Sequence, residues 1–223
     1  MELESLLLVF VKFPEPGRVK TRLAVDVGPE KAAEIYRQMV RAVLDSLPSG
    51  QRVRILYDSF RPESDYRAWL DHPALADAEF SSQSEGNLGN RLTAAFANAF
   101  RDGWRKVGVI GSDCVDITPE IYAEAWATLE THDVVIGPTF DGGYYFLASR
   151  LEVPSLFSGI AWSSELVYEQ TLAAARAADW TLTPLKKLHD IDTLDDWKRS
   201  SLSRVGRDSP ASFIHRGNSL ELD

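Results

Sequence analysis

The 223-residue chain has a single cysteine, Cys114. That excludes an internal disulfide framework and any metal cage built from several thiolates, and it fits the reducing cytoplasm expected as the compartment. Long hydrophobic runs are missing too. The longest apolar stretch near the start, "LLLVFV" at 6–11, is too short to cross a bilayer and lacks the basic start of a signal peptide, so no membrane span is expected. Positive charge is in deficit: 24 Lys and Arg against 33 Asp and Glu leave a formal net charge of -9. Nucleic acids and anionic membranes reward a broad basic surface, so neither is an expected partner. Repeats, low-complexity segments and linkers are also lacking. With 44% hydrophobic residues the chain can bury one sizeable core, and a single domain over residues 1–200 is expected. A tail with little periodicity, 201–223, contains Gly206, Pro210 and Gly217.

What the chain does contain is alternation. "LLLVFV" followed by turn formers has the character of a buried strand, and "GPEKAAEIYRQMVRAVLDSL" sets Ala32, Ile35, Met39, Val43 and Leu47 on one helix face. Further strands are expected at "RVRILY", "AEFSS", "KVGVIG", "DVVIG", "GYYFLAS" and "WTLTPL", and further helices at "GNLGNRLTAAFANAF", after Thr118-Pro119, and at "SSELVYEQTLAAARAA". Strands alternating with helices imply an α/β fold with a mostly parallel sheet covered on both faces. Ligands of such sheets bind beyond the carboxyl ends of the strands. The loops "KFPEPGRVKTRLA" (12–24), "GSDCVD" (111–116) and "DGG" (141–143) all follow strands. They are therefore expected to meet on one edge.

The first of these loops crowds Lys12, Arg18, Lys20 and Arg22 into an acidic protein. Gly17 permits close backbone approach, and Lys20, Thr21 and Arg22 supply charge and donors suited to phosphate oxygens. A solvated surface turn with incidental charge is the alternative, and the glycine spacing is not that of a P-loop. Arg91, at the start of the "GNLGNRL" helix, lies where anions can bind, or points to solvent. Asp113 ends a strand, and Mg²⁺ or Mn²⁺ takes hard oxygen ligands of this kind; stabilising its own loop is the other role open to it. Asp116 is read as a helix-start residue. In "DIDTLDDW", Thr193 is a helix cap with Asp195 and Asp196 in the first turn. Asp190 and Asp192 precede that helix and are free to close a metal site.

Taken in order, "KFPEPGRVKTRL", "GNLGNRL", "GSDCVD", "GPTFDGGYYFLA", "IAWSS" and "DIDTLDDW" resemble the bacterial family DUF2064 over residues 5–198. Its members are glycosyltransferase-like proteins of the nucleotide-diphospho-sugar transferase (GT-A) superfamily. The resemblance implies a Rossmann-like three-layer α/β/α domain with a mostly parallel mixed sheet. It also implies a nucleotide or nucleotide-sugar donor held by the first loop, a divalent cation (Mg²⁺ or Mn²⁺), and a small-molecule acceptor. The superfamily's metal-binding aspartate carries over to Asp113 and its late ligand to Asp192, with Asp190 joining through water. Val115 stands where the family has proline and Asn87 where aspartate is commoner, which touches family contacts near the base or ribose. The donor diphosphate then falls to Lys20 and Arg22, with Lys12 nearby. Asp141 becomes a base or an orienting group for an acceptor hydroxyl, beside an acceptor pocket at Gly142, Gly143, Tyr144 and Tyr145; a plain Asp-Gly-Gly turn is the alternative. Trp162 is core or pocket wall. Three readings follow: glycosyl transfer, nucleotidyl transfer from a nucleoside triphosphate to a phosphorylated acceptor, and nucleotide binding without catalysis.

Overall fold

The computed structural model describes residues 4–205. Its strands are β1 (Ser5–Val11), β2 (Arg52–Tyr57), β3 (Glu79–Ser82), β4 (Lys106–Ile110), β5 (Val134–Pro138), β6 (Tyr144–Ser149) and β7 (Leu182–Pro184). They form one sheet in the order β3-β2-β1-β4-β6-β5-β7. All run parallel except β6, which is antiparallel to both of its neighbours. The helices are α1 (Thr21–Val27), α2 (Pro29–Asp45), α3 (Glu63–Trp69), α4 (Leu88–Arg101), α5 (Pro119–Thr128), α6 (Val167–Ala177), α7 (Leu194–Arg199) and α8 (Ser201–Val205).

The unbroken apolar run in β1 follows from its central place. Alternate side chains of a strand face opposite ways. Leu7, Val9 and Val11 join Tyr36, Val40 and Val43 of α2 in one core. Leu6 and Leu8 join Leu92, Phe96 and Ala99 of α4 in the other. Helices thus cover both faces of the sheet, the three-layer α/β/α arrangement expected. Leu7 and Leu8 are fully buried, and each such side chain contributes about 1.5–3 kcal/mol through burial.

Two details depart from the periodicity argument. The basic loop ends sooner than its sequence implies, because α1 begins at Thr21 and is separated from α2 by Gly28 at φ 84°. The ordered chain also continues past Ser200 into α8, where Leu202 packs with Trp197 onto a third cluster containing Leu23, Ile35, Met39 and Ile191. Ser203 is buried. The rest of the expected tail, 206–223, including Pro210, Phe213, Ile214 and Gly217, lies outside the described residues. Among the described residues, no helix is long and apolar enough to cross a membrane.

The reversal at β6 matters for the site. Residues 139–143 are too few for a crossover, so the chain turns back at the carboxyl edge and β6 begins there. Asp141 is thereby held at the same edge as the ends of β1 and β4.

Candidate active site

Lys20 is the hub of this edge. Its side chain is 5% exposed, and its ammonium meets Asp113 Oδ1 at 2.8 Å, Asp192 Oδ1 at 3.0 Å and the Ile191 carbonyl at 2.6 Å. An ammonium has three N–H donors, and here all three are used. Burial alone lowers the lysine pKa, but the charges of Asp113 and then Asp192 outweigh it and the net shift is upward. The Lys20 backbone is left-handed, φ 47° and ψ 47°, a conformation costing a non-glycine residue about 1–2 kcal/mol and one that gathers at functional sites. The expected phosphate ligand is therefore, in this structure, the counterion of the two expected metal ligands.

Loop 190–192 is fixed by the apolar residue between its acids. Ile191 is 2% exposed, packs with Leu23 and Val115, and donates its N–H to the Asp113 carbonyl at 2.9 Å. Burying Ile191 turns Asp190 and Asp192 toward the edge, since neighbours of an inward residue in an extended chain point elsewhere. Tyr36 does the same for the first loop. Its buried hydroxyl accepts from the Lys12 N–H at 3.0 Å and from Ser112 Oγ at 3.1 Å, and burial pushes its pKa up to about 12. Periodicity alone could place Tyr36 only beside the core stripe of its helix. The signal for Ile191 was present, a lone apolar residue inside "DID".

The other basic residues have different surroundings. Arg22 is 70% exposed and reaches Asp192 Oδ2 at 3.2 Å with one nitrogen, leaving further N–H groups for a ligand. Lys12 is exposed, and its ammonium has no partner among the described residues. Arg18 lies with Cζ 3.8 Å above the Phe60 ring. Thr21 is exposed in the first turn of α1. Gly17 has φ +79° with open space where a side chain would be, so its backbone angle, not a close neighbour, demands glycine. Arg91 donates to the Gly86 carbonyl at 3.0 Å and to Gln83 Oε1 at 3.2 Å. Gln83 in turn bonds the carbonyls of Leu56 and Val11, so Arg91 braces the loop before α4 against the ends of β1 and β2.

At the turn, Asp141 Oδ1 accepts from Thr139 Oγ1 at 2.5 Å and from the Gly143 N–H at 3.0 Å. Oδ2 has no partner among the described residues. The glycines answer a need other than substrate approach. A Cβ on Gly142 (φ +90°) would lie 2.2 Å from the Glu165 carbonyl oxygen, and one on Gly143 would lie 3.1 Å from Thr139 Oγ1. The expected pocket over Gly142 is thus filled by the chain itself. Tyr144 turns inward, edge-on to Trp162 with centroids 6.4 Å apart, and its buried hydroxyl has no partner among the described residues. Tyr145 is buried and donates to the Lys186 carbonyl at 3.0 Å. Trp162 also walls a groove of about 650 Å³ between α4 and residues 154–162. That groove has no charged side chain among its described lining residues to offset a diphosphate.

The donor set suits a divalent cation. Asp113 and Asp192 already direct oxygens at one positive charge, and few protein ligands suffice when phosphates and water complete the shell. Asp190 stands close by. Burial first, then the charges of Asp141, Asp192 and Asp113, raise its pKa to about 6. Among the described residues no three acidic, His or Cys side chains are gathered tightly enough for an ion. Asp190 is an electrostatic neighbour of the Asp113–Asp192 pair.

The profile of a family of uncharacterized proteins conserved in bacteria, DUF2064, matches residues 46–164. The chain belongs to DUF2064. A crystal structure from Desulfovibrio desulfuricans G20, named "putative nucleotide-diphospho-sugar transferase", shares 35% identity over 93% of this chain and 95% of that one, with a TM-score of 0.81. Two more distant structures show the fold alone. CMP:2-keto-3-deoxy-manno-octonic acid synthetase with CTP is 10% identical over 92% of this chain and 99% of that one, TM-score 0.57. Glucosyl-3-phosphoglycerate synthase of Mycobacterium tuberculosis, with Mn²⁺ and UDP, is 12% identical over 91% and 75%, TM-score 0.51. No curated protein matches. This DUF2064 protein accordingly has the fold of glycosyl- and nucleotidyltransferases, some of which hold nucleotides and Mn²⁺.

Proposed function

We propose that this protein is a metal-assisted glycosyltransferase that moves a sugar from a nucleotide-diphospho-sugar to a small acceptor. The observation that carries the reading is the Lys20–Asp113–Asp192 constellation at the carboxyl edge of the sheet. Asp113 and Asp192 would hold Mg²⁺ or Mn²⁺, and the ion would supply charge to offset the leaving diphosphate. Once the carboxylates are otherwise engaged, Lys20 has N–H donors to turn toward that diphosphate, alongside the free donors of Arg22 and the Lys12 ammonium. The bond between the anomeric carbon and the diphosphate oxygen breaks, and its electron pair goes to that oxygen. The acceptor oxygen bonds the same carbon, and its proton passes to Asp141 Oδ2, the oxygen left unused by the turn.

The test is product analysis. The protein is incubated with Mn²⁺, an acceptor mixture and either nucleotide-diphospho-sugars or nucleoside triphosphates. Release of nucleoside diphosphate from the sugar donors is expected, with Asp113→Asn losing it. Pyrophosphate release from the triphosphates would replace the proposal with nucleotidyl transfer. Tight nucleotide binding with neither product would leave a binding protein.

A further inference from the structure

We infer that Phe140, His189 and Lys187 form the subsite that receives the acceptor, and that this acceptor is a small phosphomonoester with a free hydroxyl. The inference rests on the reading of the site as a transferase and names its second substrate.

The observations concern the two chain segments that follow β5 and β7. They are zipped together past the ends of the strands: Thr139 bridges to Leu188 in parallel, Phe140 N–H donates to the Leu188 carbonyl at 3.2 Å, and Leu188 N–H donates to the Pro138 carbonyl at 3.1 Å. Leu188 is buried, so its neighbours Lys187 and His189 are turned outward. Phe140 and His189 stack with ring centroids 4.1 Å apart and planes 15° from parallel. The Lys187 ammonium lies 4.9 Å from the Phe140 centroid. Phe140 is 56% exposed.

Three features make this patch a site rather than a chance surface. The next residue on each segment, Asp141 and Asp190, belongs to the acidic group of the active site, and the parallel pairing of Thr139 and Phe140 with Leu188 sets the two segments side by side there. The stack therefore lies one residue along each segment from these carboxylates. Lys187 and His189 make no hydrogen bond and no ion pair with any described residue, although the protein has nine more negative than positive charges. Two nitrogen-bearing groups left without carboxylates on an acidic protein suit an anion supplied from outside. Finally, the zipped backbone and the mutual stacking hold the Phe140 and His189 rings before any ligand arrives, which reduces the entropy lost on binding.

The chemistry selects the ligand. Lys187 and His189 offer N–H groups to a phosphate, and the exposed part of the Phe140 ring offers an apolar surface to the carbon skeleton. A hydroxyl a few bonds from the phosphate then reaches toward Asp141. A carboxylate would meet the same donors with less charge, and a neutral polyol would lack the main attraction.

The experiment is a calorimetric and NMR titration with glycerol 3-phosphate, glycerate and glycerol, each alone and again with UDP and Mn²⁺. Glycerol 3-phosphate is expected to bind and to shift the His189 ring resonances. Glycerate should bind more weakly, and glycerol should not bind at millimolar concentration. Lys187→Ala, His189→Ala and Phe140→Ala should each weaken glycerol 3-phosphate about tenfold, the scale of one charge-assisted or stacking contact, while UDP–Mn²⁺ affinity stays within about twofold. Absence of glycerol 3-phosphate binding in both series, or equal binding by all three variants and the parent, overturns the inference. Glycerate binding tighter than glycerol 3-phosphate overturns the phosphate assignment. Loss of UDP–Mn²⁺ binding in the parent protein, with glycerol 3-phosphate still bound, would instead strike at the donor reading and leave this subsite standing.

Discussion

Replacing Lys20 with methionine keeps the length of the side chain and removes its charge, and the structure gives opposite signs for two consequences. The substitution leaves Asp113 and Asp192 facing one another without the ammonium and strips the Ile191 carbonyl of a donor. Breaking a fully buried ion pair costs about 3–5 kcal/mol. Here the carboxylates are 50% and 37% exposed, so water replaces much of what is lost and the expected cost is about 2 kcal/mol. For a domain of this size that lowers the melting temperature by about 4–8 °C. Mn²⁺ should then stabilise the variant more than the parent, because in the parent an entering ion must first displace the ammonium. UDP affinity in the presence of Mn²⁺ should nevertheless fall about tenfold, since a charge-assisted donor to the diphosphate is gone. Melting curves with and without Mn²⁺, together with calorimetry, measure all three. Equal Mn²⁺ stabilisation of the two proteins would refute the shared-cation argument.

Four further outcomes are expected. Ile191→Ala should cost about 2–4 kcal/mol by opening a cavity and should also weaken Mn²⁺ binding, because the carbonyl and N–H that locate loop 190–192 are anchored through that side chain; a stability loss with unchanged metal affinity would contradict the positioning role. Gly142→Ala should cost about 2–4 kcal/mol, since the backbone angle is left-handed and the Glu165 backbone is in the way; an unchanged melt would show that the loop yields freely. Burial works to raise the Asp133 pKa, but hydrogen bonds from Thr181 and Arg150 outweigh it and hold it below 3.8, so its stabilisation is complete above about pH 4 and fades as the pH falls further; the melting difference between Asp133→Asn and the parent should shrink in acid, and a difference constant with pH would rule this out. Ending the chain at Ser200 should lower the melting temperature by removing Leu202 and Ser203 from their packing, and a truncated chain with parental stability would show α8 to be dispensable.

Alternating apolar strands and amphipathic helices made the sheet and its two covering layers legible from the sequence, because each strand carries its burial pattern residue by residue. Thr193 and Asp196 cap α7 reciprocally, as the spacing implies: Thr193 Oγ1 accepts from the Asp196 N–H, and Asp196 accepts from the Thr193 N–H. The meeting of the loops at one edge also followed from topology. The partners within the site did not. Whether Lys20 faces a phosphate or two carboxylates is decided by side-chain geometry across 172 positions, which no local pattern encodes. Gly142 and Gly143 look alike as loosely packed glycines until the Glu165 backbone is seen lying against one of them. Phe140, His189 and Lys187 are ordinary residues in sequence, and only the pairing beyond β5 and β7 brings them together.

The Lys20–Ile191 hydrogen bond joins residues 171 positions apart, and this has a consequence in time. A ribosome adding about 5–20 residues per second needs on the order of ten to thirty seconds to travel from one to the other. During that interval the first loop exists without the Ile191 carbonyl and the Asp192 carboxylate that engage its lysine, while β1 and β2 already have each other to pair with. A half-made chain therefore holds Lys20 with only part of its partner set. The Lys20 cluster is complete only after the last third of the chain has docked, so its contacts steady finished molecules but not growing ones.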